Sequence, residues 1–300
     1  MSDMTIHSGS VPIATRDHGG DGPPVLLLHG GGGNLLGWRD FPNRLTPAHR
    51  VVSFDLRGHG HSGDGDWDTA SLLADIRAVA DHFGFDEPAL VGHSLGGMLS
   101  ALWARDNPGC PAAVSIDGHR SAATHEHNYD GLDPETLRAD LKAITEVFDA
   151  QTAALERPVP PEQLEAMRAM RSPDEGEAVF EARLQRDLVE RDGQTYSRLG
   201  ADTARLLRVM PEFVDAVPVL NDVAVPFLML LATRDFPGLP PQFGPLMAAH
   251  RAGLRRDLAT VRQTRPNLEV TEVDGSHGMV SERPDEVAAL VLDFLARDRN

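Results

Sequence analysis

Val91-Gly92-His93-Ser94-Leu95-Gly96-Gly97 is a G-x-S-x-G sequence set between two different periodicities. Upstream, Ala89-Leu90-Val91 is a short apolar run that reads as a buried strand. Downstream, Leu95 to Arg105 repeats its apolar residues at i, i+3 and i+4, as a helix does. A serine on such a strand-to-helix turn has its hydroxyl lifted clear of the sheet, and its neighbours must be small to pass one another. A glycine-rich turn with an ordinary serine cap would carry the same letters, so the setting supplies the specificity that the bare pattern lacks.

Outward from this turn the chain keeps the same rhythm. Val25-Leu26-Leu27-Leu28 follows Pro23-Pro24 and stops at a glycine cluster, the mark of a strand buried on both faces. Val51 to Phe54, Ala112 to Ile116, Phe227 to Leu231 and the more alternating Leu268 to Val273 read as further strands. Helical spacing fills the intervals Trp38 to Leu45, Thr69 to Phe83 and Leu246 to Arg262, and Pro284 to Ala296 closes the chain as a helix. Strands alternating with helices predict an α/β fold with a mostly parallel central sheet flanked by helices. From about Arg120 to Val223 the rhythm breaks into helical pattern only, with helices predicted over Asp133 to Ala154, Pro161 to Ala169, Glu175 to Glu190 and Ala201 to Val209. The expected organisation is a core of residues 1–119 and 224–300 with an all-helical cap, 120–223, over the sheet edge where ligands bind. Met167, Met170, Leu184, Leu188, Leu206 and Met210 are expected to pack between the cap helices, some of them lining an adaptable apolar pocket.

Composition narrows the class. The 300 residues are 41% hydrophobic and 24% charged, near the globular average, which excludes a disordered or fibrous chain. Lys and Arg number 28 against 45 Asp and Glu, a formal charge of −17 that would repel nucleic acid and anionic membrane surfaces. Cys110 is the single cysteine, so no internal disulfide framework is available. Neither a basic, apolar leader nor an apolar run approaching ~20 residues is seen, and a soluble, cytoplasmic protein is expected. Assembly with further copies of the chain is left open.

Ser94 needs a base to take its proton. Of thirteen histidines, His277 stands out, because Gly275-Ser276-His277-Gly278-Met279 is a polar loop between the last strand and the last helix, at the same sheet edge as Ser94. His93 is expected to point away from the serine. The base in turn needs a carboxylate to fix its tautomer. Asp117 and Asp235 both end core strands after Ser94, and either satisfies the order Ser…Asp…His. Asp235 is preferred, since its strand directly precedes the one leading to His277; Asp117 is held in reserve as a pocket or turn residue. Oxyanion donors are expected from Leu95 N–H, at the start of the helix, and from Gly31 N–H in His29-Gly30-Gly31-Gly32-Gly33-Asn34, with Gly32 next. A phosphate-binding reading of that glycine run lacks both the Walker Lys-Ser/Thr and a G-x-G-x-x-G leading into a helix.

These residues, with Asp55-Leu56-Arg57-Gly58-His59-Gly60-His61-Ser62, occur in an order and spacing that resemble the α/β-hydrolase fold superfamily over about residues 22–118 and 224–298. The resemblance implies that fold, no cofactor, and an oxyanion hole built from the residue after His-Gly and the one after the nucleophile, here Gly31 and Leu95. Members with aspartate at the elbow are dehalogenases or epoxide hydrolases, and Ser94 argues against both. The expected activity is hydrolysis of a carboxylic ester or lactone with an apolar portion, through Ser94, His277 and Asp235. Alternatives are the same triad used for thioester or C–C hydrolysis, acyl transfer or cyclisation, and a non-catalytic ligand sensor on the same scaffold.

Two further clusters bear on metal binding. Asp64-Gly65-Asp66-Trp67-Asp68 resembles the start of a calcium loop, but Thr69 stands where that loop needs glycine; an acidic turn with Asp68 capping the next helix is favoured. His125-Glu126-His127, even with His119, lacks zinc-ligand spacing, and no metal is expected. Trp38, Phe41, Met98, Trp103 and Met279 are read equally well as pocket or as core.

Overall fold

A computed structural model describes residues 3–169, 171, 175–236 and 239–297; Met170 lies outside them. The strands are β1 (Met4–Ser8), β2 (Val11–Gly19), β3 (Pro24–Leu28), β4 (Arg50–Phe54), β5 (Ala89–His93), β6 (Ala113–Ile116), β7 (Leu188–Arg191), β8 (Gln194–Ser197), β9 (Phe227–Ala232) and β10 (Leu268–Val273). The helices before the insertion are α1 (Phe41–Leu45), α2 (Thr69–His82) and α3 (Leu95–Asp106). Those within it are α4 (Pro134–Ala154), α5 (Pro161–Ala169), α6 (Glu177–Arg186), α7 (Ala201–Val209) and α8 (Pro211–Val214), and α9 (Gly244–Thr264), α10 (Met279–Glu282) and α11 (Pro284–Arg297) follow.

Eight strands form one sheet in the order β1-β2-β4-β3-β5-β6-β9-β10. From β4 to β10 every neighbouring pair is parallel. Only β2 runs against the rest of this sheet, pairing antiparallel with β1 on one side and β4 on the other. β1 is absent from the expected strands because it alternates buried Ile6 and Ser8 with exposed residues, as an edge strand does, and carries no continuous apolar run.

The parallel strands are buried on both faces, and alternate residues serve opposite layers. Leu26, Leu28, Phe54, Leu90, Phe227 and Met229 pack with α2, α3 and α9. Val25, Leu27, Val51, Val91, Leu228 and Leu230 pack with α1 and α11, through Phe41, Val287 and Phe294. This two-sided burial is what the short unbroken apolar runs encode. The chain winds outward in opposite directions from β3, to β4 on one side and β5 on the other. That reversal leaves a crevice above the carboxyl ends of β3 and β5, where the glycine run and Ser94 both lie.

Between β6 and β9 the insertion is not all-helical. Leu188 to Ser197 forms a two-stranded hairpin, β7–β8, so the helix expected to reach Glu190 ends at Arg186. Asp192 and Gly193 both take positive φ at its turn, the chemistry of a tight hairpin that the Asp-Gly pair announces. The hairpin side of the insertion is tied to the core by buried charge. Arg186, 2% exposed, donates from Nε to Asp55 at 2.7 Å and from Nη1 to Asp3 at 2.6 Å. Arg198 donates to the Gly60 carbonyl at 3.0 Å and to Asp64 at 2.7 Å. No described helix is long and apolar enough to cross a membrane.

Candidate active site

Ser94 sits between β5 and α3 with φ 52° and ψ −117°, a left-handed conformation that costs a non-glycine residue energy and here aims its side chain out of the turn. Its N–H donates to Ile116 O at 2.9 Å, and its carbonyl accepts from Gly97 N–H at 2.9 Å. The turn is so tight that the surrounding positions admit only glycine. A Cβ on Gly92 would lie 1.9 Å from the Gly96 carbonyl oxygen, and one on Gly96 2.1 Å from that of Leu28. Gly118, after β6, meets the Ser94 carbonyl oxygen at 2.1 Å in the same way. Backbone cannot yield as a flexible side chain would, so Gly96→Ala should lower stability by about 3 kcal/mol or more, read as a shift in the urea midpoint.

The glycine loop after β3 is held by His29. Its Nδ1 donates to Gly30 O at 2.8 Å and its Nε2 accepts from Leu56 N–H at 3.0 Å, which fixes the tautomer. Gly31, Ser94 and Leu95 then line one cavity of about 500 Å³. Leu95 is the first residue of α3, so its N–H has no acceptor within the helix and lies at the positive end of the helix dipole.

His277 lies between β10 and α10, as the sequence predicts. Its partner, however, is the aspartate held in reserve. His277 Nδ1 donates to Asp117 Oδ2 at 2.7 Å. Asp117 directly follows β6, has φ 51°, and turns its carboxylate across the end of the neighbouring β9, where Oδ1 accepts from Ala232 N–H at 2.9 Å. His119 Nε2 stands 3.4 Å from the same oxygen. Burial opposes ionisation of this 8%-exposed carboxyl, but the contacts from His119 and His277 hold it well below the usual carboxylate range. The preference for Asp235 is therefore corrected. Three residues beyond β9, its carboxylate swings outward to pair with Arg251 on α9, and 38% of its side chain is exposed. Strand order favours Asp235, but reach decides: β6 and β10 flank β9, so a residue at the tip of β6 needs only to cross one strand end. The signal available was Asp117-Gly118, a strand-end carboxylate followed by the one residue small enough to pass the Ser94 turn.

His93 does point away from the cavity, and it has a role that the sequence reading left blank. Its Nε2 donates to the carbonyl oxygen of His277 at 2.8 Å, bracing that loop from beneath. His119 lines the same cavity as Asp117 and His277. That second cavity, of about 370 Å³, shares Ser94, Met98, Ser121 and Phe148 with the first, so the two meet at the serine. Met98 belongs to the pocket wall, whereas Phe41, Trp103 and Met279 are core, and Trp38, also buried, lines a separate small cavity against the glycine loop. Asp68 caps α2, accepting from Ser71 N–H at 2.7 Å, and Asp64 pairs with Arg198. Among the described residues no group of three His, Cys, Asp or Glu side chains is arranged to hold a metal ion.

Burial pushes the imidazoles of His18, His29 and His93 down to about 4, and those of His59 and His250 down to about 3. Unfolded histidine takes up its proton near 6.5, so between there and the folded values the unfolded chain binds more protons. Stability is complete above about pH 7 and falls with decreasing pH through this window, by about 1.4 kcal/mol per pH unit for each such histidine. Asp187, raised to about 6 by burial, acts oppositely and offsets one histidine's share. Urea midpoints measured at pH 7.5 and 5 should differ strongly; equal midpoints would contradict neutral buried imidazoles.

A family model described as alpha/beta hydrolase fold matches residues 23–250. The chain is 27% identical over 290 residues to epoxide hydrolase 3 of Xenopus tropicalis, covering 92% of this chain and 72% of that one. It is 33% identical over 112 residues to a soluble epoxide hydrolase of Corynebacterium sp. strain C12, 36% of this chain and 39% of the other. The chain spans about two fifths or less of the length of several curated relatives it matches. The crystal structure of E-2-(acetamidomethylene)succinate hydrolase superposes with a TM-score of 0.69 at 22% identity, over 98% of this chain and 99% of that one, a likeness of fold.

Proposed function

The chain belongs to the alpha/beta hydrolase family, and within it we propose a cofactor-free serine hydrolase acting on a carboxylic ester or lactone with an apolar portion. The observation that carries this reading is the Asp117–His277 hydrogen bond of 2.7 Å at the rim of the cavity into which Ser94 projects. With Nδ1–H held by Asp117, His277 has Nε2 free to accept a proton. Ser94 Oγ attacks the carbonyl carbon while His277 takes its proton. The N–H groups of Gly31 and Leu95 receive the oxyanion. The C–O bond breaks, the leaving oxygen takes the proton from His277, and water repeats the sequence to release the acid.

Several relatives open epoxides, but a serine does not suit that reaction. Attack of Ser94 on an epoxide would leave an ether on the enzyme, with no carbonyl for water to attack, and turnover would end there. An acyl-enzyme is an ester and is released by the same machinery that forms it. The apolar portion is supported by Leu95, Met98, Phe148, Leu207 and Phe213 around the larger cavity.

A fluorophosphonate probe tests the reading directly. Stoichiometric mass addition on the peptide carrying Ser94, with parallel loss of p-nitrophenyl ester hydrolysis, is expected. Folded protein that takes no adduct and hydrolyses no activated ester would overturn it.

A further inference from the structure

The two cavities that meet at Ser94 differ in chemistry, and the difference assigns the two halves of a substrate. The lobe of about 500 Å³ holds both oxyanion donors, Gly31 and Leu95, and neither His277 nor Asp117. Its remaining wall is mostly apolar, with Phe148 from α4, Leu155 just beyond that helix, Leu207 from α7 and Phe213 from α8, and Arg208 is, among the described residues, the one charged side chain on it. The lobe of about 370 Å³ holds His277 and Asp117 and neither oxyanion donor. Into it also face His119, Arg234, Asp235 and Arg251, opposite an apolar wall that includes Ile144, Leu239 and Met247.

Resting on the Ser94–His277 reading, we infer that the substrate is an ester of an apolar acid with a polar alcohol, its acyl chain in the larger lobe and its leaving group in the smaller. The proton that His277 takes from Ser94 must pass to the leaving oxygen as the C–O bond breaks, so that oxygen lies on the His277 side. The group attached to it then continues into the lobe His277 lines. The oxyanion fixes a second direction, toward Gly31 and Leu95, and the acyl substituent is left the space beside those donors. An alkyl chain there displaces water from Leu, Met and Phe surfaces, which is favourable by about 25 cal/mol per Å² buried. The same chain in the smaller lobe would strip water from the half-exposed Arg234 and from the Arg251–Asp235 pair without replacing its hydrogen bonds. A hydroxylated or carboxylated alcohol replaces them.

A pair of isomeric esters separates the two orientations: 2-hydroxyethyl octanoate carries the apolar acid and polar alcohol, and octyl glycolate reverses them. Normalised to their alkaline hydrolysis rates, kcat/KM should favour 2-hydroxyethyl octanoate by on the order of tenfold or more. Leu155→Trp, filling the larger lobe, should lower kcat/KM for 2-hydroxyethyl octanoate far more than for 2-hydroxyethyl acetate. Met247→Trp, in the wall of the smaller lobe, should instead change the ranking among alcohols offered with one acid. A preference for octyl glycolate, or Leu155→Trp acting on alcohol choice, would overturn the assignment while phosphonylation of Ser94 leaves the hydrolase reading standing. Absence of both phosphonylation and turnover would sink the hydrolase reading and this one with it.

Discussion

Replacing Asp117 by asparagine should reduce ester hydrolysis by on the order of 10³- to 10⁴-fold, whereas Asp235→Asn should leave it within about threefold. Asparagine is nearly isosteric, and its side-chain oxygen can still accept from Ala232 N–H, so the turn after β6 is preserved. What changes is the group facing His277 Nδ1. A carboxylate accepts the Nδ1 proton and stabilises the imidazolium that forms as Ser94 loses its own. An amide turned to donate there would place the imidazole in the other tautomer, with its proton on Nε2, and Ser94 would then have no base. Asp235, paired with Arg251 and partly in water, has no such part. Activity measured at saturating ester, with circular dichroism to show that both variants fold, checks the contrast. A severe loss in Asp235→Asn with a mild one in Asp117→Asn would return the acid to the end of β9 and remove the role proposed for the residue after β6.

Ser94→Ala should abolish phosphonylation and lower hydrolysis of an activated ester by about 10³-fold or more. Alanine shares the Cβ that the left-handed turn already accommodates at φ 52°, so the change removes the nucleophile without altering the backbone demand at that position. Residual turnover would reflect the proposed oxyanion donors, Gly31 and Leu95, and the proposed base His277 acting on water, since these remain in place. Unchanged hydrolysis in the folded variant would remove Ser94 from the reaction.

The central strands were legible because burial on two faces demands unbroken apolar runs, and Val25 to Leu28 or Phe227 to Leu231 have no other economical explanation. Ser94 and His277 were legible for a different reason: each occupies a loop whose flanking periodicities fix it to one edge of a parallel sheet. The edge strand β1 and the hairpin β7–β8 escaped because partly exposed strands carry mixed side chains, and β2 because Arg16, Asp17 and His18 interrupt its apolar run; the identity of all four is settled by pairing partners that local sequence does not contain. The choice between Asp117 and Asp235 escaped for a related reason. Both are strand-end carboxylates, and what separates them is the direction of a side chain after a turn: one inward with φ 51°, the other drawn out by an arginine sixteen residues further along.

The buried contact of Arg186 with Asp55 has a consequence for how this architecture could be re-engineered or could diverge. Asp55 also accepts the N–H groups of Leu35 and His61, so the loops flanking the crevice are pinned by a carboxylate whose charge is balanced from the inserted segment. Excising or exchanging that segment as a cassette would strand an anion in the interior, at a penalty of several kcal/mol, and slacken the loops beside the crevice that holds Ser94. Grafts that carry a new substrate-shaping segment onto this scaffold therefore have to bring a matching guanidinium, or neutralise position 55 at the same time.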